Sequence, residues 1–246
     1  MRNFRRGIMT FFSKHPATIK DNWIASWHLY RKAFSQTWLL GIIIGVLLAI
    51  STSVPMVFNK IYGSADSTAA KVASFVLSIV VVLFMVYLTA LMLYKIYNVG
   101  HKQHMSWREL RKIINGKYMR IFTAMLIMFA IYFIGMILLV FPGIFAFVLL
   151  SMVEPLILFG NQKVWAALKG SLKLVWGNWW RTFAVIFPLV IVNFWVGYIA
   201  SSSTLNQNWY FMICGNAIIA TIFYPLFYSC VLVMFNDLKL RKDLTK

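Results

Sequence analysis

Phe141-Pro142-Gly143-Ile144-Phe145-Ala146-Phe147 opens a stretch, residues 141–181, that closes on Gly177-Asn178-Trp179-Trp180-Arg181. It sits within an apolar run of about forty residues, twice the roughly 20 that one bilayer crossing needs. Proline lacks a backbone donor and glycine tolerates turn geometry, so the chain is expected to reverse at Phe141-Pro142-Gly143. Gly143 to Gly160 then crosses back with Glu154-Pro155 inside it, and residues 161–180 alternate basic and apolar residues at helical spacing. Trp179-Trp180 ends that helix with the residue type that favours the membrane–water boundary.

Composition fixes the class. Apolar residues make up 61% of 246 positions, charged residues 12%, and the mean hydropathy is +0.75. Soluble domains average about half apolar and about a quarter charged, so this chain reads as an integral membrane protein. The net charge of +18 comes from 24 Lys and Arg against 6 acids. These cations flank the apolar runs, which points to anionic phospholipid as the partner and away from nucleic acid. The 36 mostly polar and basic residues before the first long apolar run do not resemble a cleavable signal peptide. Cys214 and Cys230 share the last apolar segment, about 24 Å apart along a helix and beyond disulfide reach.

The expected fold is all-α: a polytopic membrane protein with six spans at about 37–58, 71–97, 119–141, 143–160, 181–199 and 209–235. A basic segment, residues 1–36, precedes them. Within it, Trp23, Trp27, Tyr30 and Phe34 form one helical stripe, suited to an interfacial helix with its aromatic side in lipid. A second interfacial helix is expected at 105–117, where Trp107, Leu110, Ile114 and Tyr118 line up opposite Arg108, Arg111, Lys112 and Lys117. The third, 161–180, has Trp165, Leu168, Leu172, Trp176 and Trp179 on one side. Gly41, Gly45 and Ala49 recur every fourth residue in the first span, which permits close helix packing. Ser26-Trp27, Ser106-Trp107 and Ser171-Leu172 each sit in an amphipathic helix before a pair of spans, a pattern of three repeats of surface helix plus hairpin. Residues 1–36, 95–120, 163–181 and 239–246 hold 22 of the 24 cations, leaving Lys60 and Lys71 for the other loops. The positive-inside rule then puts both termini in the cytoplasm.

Glu154 leads the candidate functional residues, since an ionisable group within a span is costly and marks function by default. Counted from the basic boundary it lies about 9 Å into the span, Tyr228 about 13 Å and Asn193 about 18 Å, at ~1.5 Å per residue. Together they could line a polar cavity, or Glu154 could be neutral or paired at the headgroups. Pro188, Pro225 and Asn216 mark helix irregularities in the last two spans. His101 and His104 lack a third ligand at convincing spacing, so no metal site and no cofactor is expected. There is no phosphate-binding glycine loop, no His-Glu-x-x-His and no Gly-x-Ser-x-Gly, and the chain is not expected to be an enzyme. Lys163, Lys169, Lys173, Arg181, Trp179 and Trp180 are the candidate lipid-headgroup contacts.

Three sets of landmarks carry a family resemblance. They are Phe141-Pro142-Gly143, the run Ala166-Ala167-Leu168 to Ser171, Leu174-Val175 and Gly177-Asn178-Trp179-Trp180, and Asn236-Asp237-Leu238-x-Leu240-Arg241. The chain resembles a group of bacterial six-span inner-membrane proteins, related to the membrane portion found beside some glycerophosphodiester phosphodiesterases. The resemblance covers about residues 141–241, implies a bacterial inner-membrane helical bundle, and implies no catalytic residues. The resulting expectation is a non-enzymatic envelope protein acting through lipid contact or through membrane-protein partners, including a second copy of itself. The alternatives are a small transporter or channel with a cavity near Glu154, Asn193 and Tyr228, and a membrane-embedded lipid enzyme.

Overall fold

The first helix starts where local chemistry allows. In the computed structural model, Thr18 and Asp21 exchange hydrogen bonds between side chains and backbone, Asp21 N–H to Thr18 Oγ1 (3.2 Å) and Thr18 N–H to Asp21 Oδ2 (3.3 Å). This reciprocal cap satisfies donors that a helix start would otherwise orphan. Helix α1 then runs from Ile19 to Tyr62. The structure describes residues 12–13, 15–62, 68–138, 140–202 and 209–244, and the side chains of these except 51–71, 73–74, 138, 140, 197, 199–202 and 209–212. Residues 1–11 and 14 of the basic segment expected at 1–36 lie outside them.

Along the chain follow α2 (Thr68–Gly100), α3 (Trp107–Leu138), α4 (Val140–Leu150), α5 (Val153–Leu158) and α6 (Val164–Val175). A 3-10 turn, Trp176–Asn178, leads into α7 (Trp179–Ser202), and α8 spans Trp209–Leu244. Among the described residues, six segments are long and apolar enough to cross a membrane. The protein is therefore an all-α polytopic membrane protein.

Two expected boundaries are absent. Residues 21–36 and 37–58 belong to one unbroken helix, and residues 107–138 form another that runs from the expected interfacial helix into the third span. At ~1.5 Å per residue α1 is about 66 Å long, enough to carry an exposed basic extension and a span as one rod. Only the third surface helix, α6, is a separate element. The three serines that suggested a repeat are not equivalent. Ser26 bonds the Asn22 carbonyl inside α1 (2.7 Å), Ser106 caps α3 through Glu109, and Ser171 ties α6 to α4.

Helices α1 and α8 make the most extensive contact in the bundle. Asn22, Ser26, Leu29, Ala33, Thr37, Leu40 and Ile44 are buried at intervals of three and four, so one face of α1 is enclosed. This face is not the aromatic stripe. Trp27 stays half-exposed and only Tyr30 of the four aromatics is buried. Small and hydroxyl residues let backbones close in and bond one another, whereas aromatic bulk is equally well solvated by lipid. Gly41 and Gly45 do what their spacing suggested. A methyl group on Gly41 would stand 2.5 Å from Thr221 Cα, and one on Gly45 2.4 Å from Ala217 Cα.

Helix α3 ends at Leu138 and α4 begins at Val140, so Phe141-Pro142-Gly143, the expected turn, lies inside α4. Pro142 occupies the first turn of α4, where its missing N–H costs no hydrogen bond. The two arms touch at Gly135 and Gly143, where a Cβ on Gly135 would lie 2.9 Å from Gly143 Cα.

Candidate functional site

The fourth apolar segment is broken. After α4 the chain turns at Ser151-Met152 and resumes as α5, with Glu154 and Pro155 in the first turn. A break frees backbone groups that lipid cannot satisfy. Ser171 on α6 satisfies two of them. Its hydroxyl donates to the Leu149 carbonyl (2.6 Å) and accepts from the Met152 N–H (3.2 Å). Ala167 and Ser171, both fully buried, bring α6 close enough for this. At the far end of α5, Asn161 adopts a left-handed φ of 49° and Lys117 donates to the Leu158 carbonyl. Arg120 donates to Asn161 Oδ1 (3.3 Å).

Glu154 sits beside this break. Its Oε1 is closed off from solvent and has no hydrogen-bond partner among the described residues. Tyr228 on α8 is buried and lies within electrostatic reach of Glu154 and near Thr89 of α2, whose hydroxyl donates to the Val86 carbonyl (3.1 Å). The structure thus brings together Glu154 and Tyr228 and adds Thr89, which the sequence did not suggest. Asn193, half-buried on α7, makes no hydrogen bond to either. Gln162 Oε1 and both side-chain polar atoms of Asn98 are likewise buried without partners.

Helix α6 presents two apolar faces. Ala167, Leu168, Ser171, Leu174 and Val175 are buried, while Trp165 (68% exposed) and Trp176 (67%) point outward with Leu172. Of the side expected to hold Trp165, Leu168, Leu172, Trp176 and Trp179 together, Trp165, Leu172 and Trp176 are exposed, whereas Leu168 and Trp179 are buried, because the small residues set the closest approach. Lys163, Lys169 and Lys173 are all exposed, as is Trp180 (72%). Trp179 is not a free headgroup ligand, and Arg181 has one of its donors engaged by the Ala17 carbonyl. Trp179 is buried, donates its indole N–H to the Phe145 carbonyl (3.3 Å) and stacks on Phe145 and Phe183.

Arg181 belongs to a polar clamp that sequence reasoning missed. Asp237 on α8, 1% exposed, accepts from the Ala17 N–H (2.7 Å) and Asn22 Nδ2 (3.3 Å), and pairs with Arg241 (3.0 Å). The Ala17 carbonyl in turn accepts from Arg181 (2.7 Å) and Arg241 (2.7 Å). Asn236 donates to the Ser13 carbonyl (3.1 Å). The Asn-Asp-Leu-x-Leu-Arg landmark is thus a fastener for the segment before α1. Its sequence signals were the landmark itself and an acid close to the end of an apolar helix.

His101 packs between Phe12 and Tyr97 with Nδ1 near the Tyr97 carbonyl (3.1 Å). No group of three potential metal ligands occurs among the described residues. Cys214 is exposed and Cys230 buried, both free on α8.

Fold and site together define a polytopic helical membrane protein whose basic helix ends converge around the Asp237 clamp. Comparison with protein-family models, with curated proteins and with solved structures returns no match.

Proposed function

We propose that this is a non-enzymatic protein of the bacterial inner membrane that acts through contact with anionic phospholipid, with its basic end and both termini in the cytoplasm. The observation that carries the reading is α6, where Lys163, Lys169 and Lys173 stand exposed among the outward tryptophans Trp165 and Trp176. Indole rings favour the headgroup level, and each cation near an anionic surface contributes about 1 kcal/mol. Converting all three lysines to Gln should lower the protein's enrichment of phosphatidylglycerol over phosphatidylcholine in mixed vesicles by about tenfold or more, read by lipid co-purification. Unchanged enrichment would remove α6 from lipid recognition. The clamp and helix packing also leave room for membrane-protein partners or a second copy at the lipid-facing helices.

A second reading, a small transporter or channel, draws on Glu154 Oε1, buried without a partner at a helix break. Broken helices at membrane depth are where transporters hold their ligands. In liposomes, Glu154→Gln should abolish any proton-coupled flux that the wild-type chain supports. Flux that survives the substitution would end the relay role of Glu154.

A further inference from the structure

An open groove of about 500 Å³ lies between α4 and the turn that joins α6 to α7. Phe141 and Phe145 form one wall, Trp176 and Trp180 the other, with Trp179 at the base. The walls are fixed. Trp179 is bonded to the Phe145 carbonyl and stacked on its ring at 5.2 Å, and Trp176 meets Phe145 edge-on at 5.9 Å. The rim is open, with Phe141 66% and Trp180 72% exposed. Gly177 also lines the groove, with open space for 4 Å around the position a Cβ would take.

Two polar groups interrupt this aromatic lining. The Asn178 side-chain amide makes no hydrogen bond among the described residues, while the Asn178 backbone carbonyl accepts from the Thr182 hydroxyl (3.1 Å). Arg181 gives Nη1 to the Ala17 carbonyl, and its remaining donors have no described partner. A guanidinium offers five donors in a planar fork suited to phosphate oxygens. An apolar slot ending in an amide and a guanidinium matches an amphiphile with an anionic head. A free phosphate would leave the aromatic walls without a role, and the volume falls in the range of small-ligand sites.

We propose that this groove seats a single anionic phospholipid, one acyl chain against Phe141, Phe145 and Trp180 and the phosphate at Asn178 and Arg181. The inference rests on the lipid-contact reading above and gives it an address distinct from the α6 lysines. The test is native mass spectrometry of the full chain released from nanodiscs of phosphatidylcholine and phosphatidylglycerol in equal parts. Wild-type protein should keep one phosphatidylglycerol. Gly177→Leu fills the groove and leaves every charge in place; Asn178→Asp sets a carboxylate at the phosphate seat and leaves the volume. Each should cut retention about tenfold, the worth of one charge-assisted hydrogen bond, with the helical signal in circular dichroism unchanged. The Lys163, Lys169 and Lys173→Gln protein should keep the bound lipid. Wild-type retention in both groove variants, or equal retention of phosphatidylcholine, would overturn the proposal. Loss on lysine neutralisation alone would also overturn it while leaving lipid contact through α6 standing. Retention of no lipid by any protein would remove both.

Discussion

Helices α1 and α8 meet along a regular seam, whereas α4, α5 and α6 meet around a break. In the seam, Gly41 and Gly45 admit the backbone of Thr221 and Ala217, and the contact depends on missing atoms. Around the break, one hydroxyl, that of Ser171, supplies both a donor and an acceptor to backbone that no helix satisfies. The first contact tolerates nothing larger. The second fails on a loss of polarity. Close packing between apolar helices in lipid and hydrogen-bond repair of an interrupted helix are thus separate devices within one bundle.

The sharpest way to break the comparison is to fill the seam. Gly45→Leu places a side chain where even Cβ lies 2.4 Å from the α8 backbone. Overpacking against backbone should cost about 3 kcal/mol or more, read as loss of monodisperse protein in detergent. Next comes the clamp at the basic end of the same seam. Asp237→Ala leaves the Ala17 N–H, Asn22 and Arg241 without their carboxylate, at about 2–4 kcal/mol. The expected signature is local: faster amide exchange at Ala17 than anywhere in α4–α6. Ser171→Ala should have the smallest effect, about 1–2 kcal/mol, with exchange rising at Met152 and the α1–α8 seam untouched. Equal exchange at the seam in that variant would mean that the two regions are coupled.

Much of the architecture was legible in the sequence because long apolar runs, clustered cations and the glycine series are local signals. Six apolar segments, the close approach at Gly41 and Gly45, and a discrete α6 follow from them. The faces were not legible in the same way. In water an aromatic stripe marks the buried side, but lipid solvates Trp27, Trp165 and Trp176 as well as a core would. Which face packs is then set by Ser26, Ala33, Ala167 and Ser171, residues too small to stand out in a hydrophobic pattern. The approach of Tyr228 to Glu154 was within reach of simple height counting, since their estimated depths nearly agree. Asn193 was placed deeper by the same count and makes no bond to them. Thr89 and the Ala17–Asp237 bond could not be found that way, because the latter joins residues 220 positions apart.

That separation has a consequence for how the protein is made. The polar face of α1, with Asn22, Ser26 and Thr37, leaves the ribosome well before its principal partner, α8. Until α8 arrives, Asn22 has no Asp237 to bond and the two glycines face lipid or a temporary neighbour. Contacts between distant parts of a chain form late because closing a long loop must precede them. The α1–α8 seam therefore closes only once α8 is in place, and a chain cut short before Trp209 would have the other helices but no such seam.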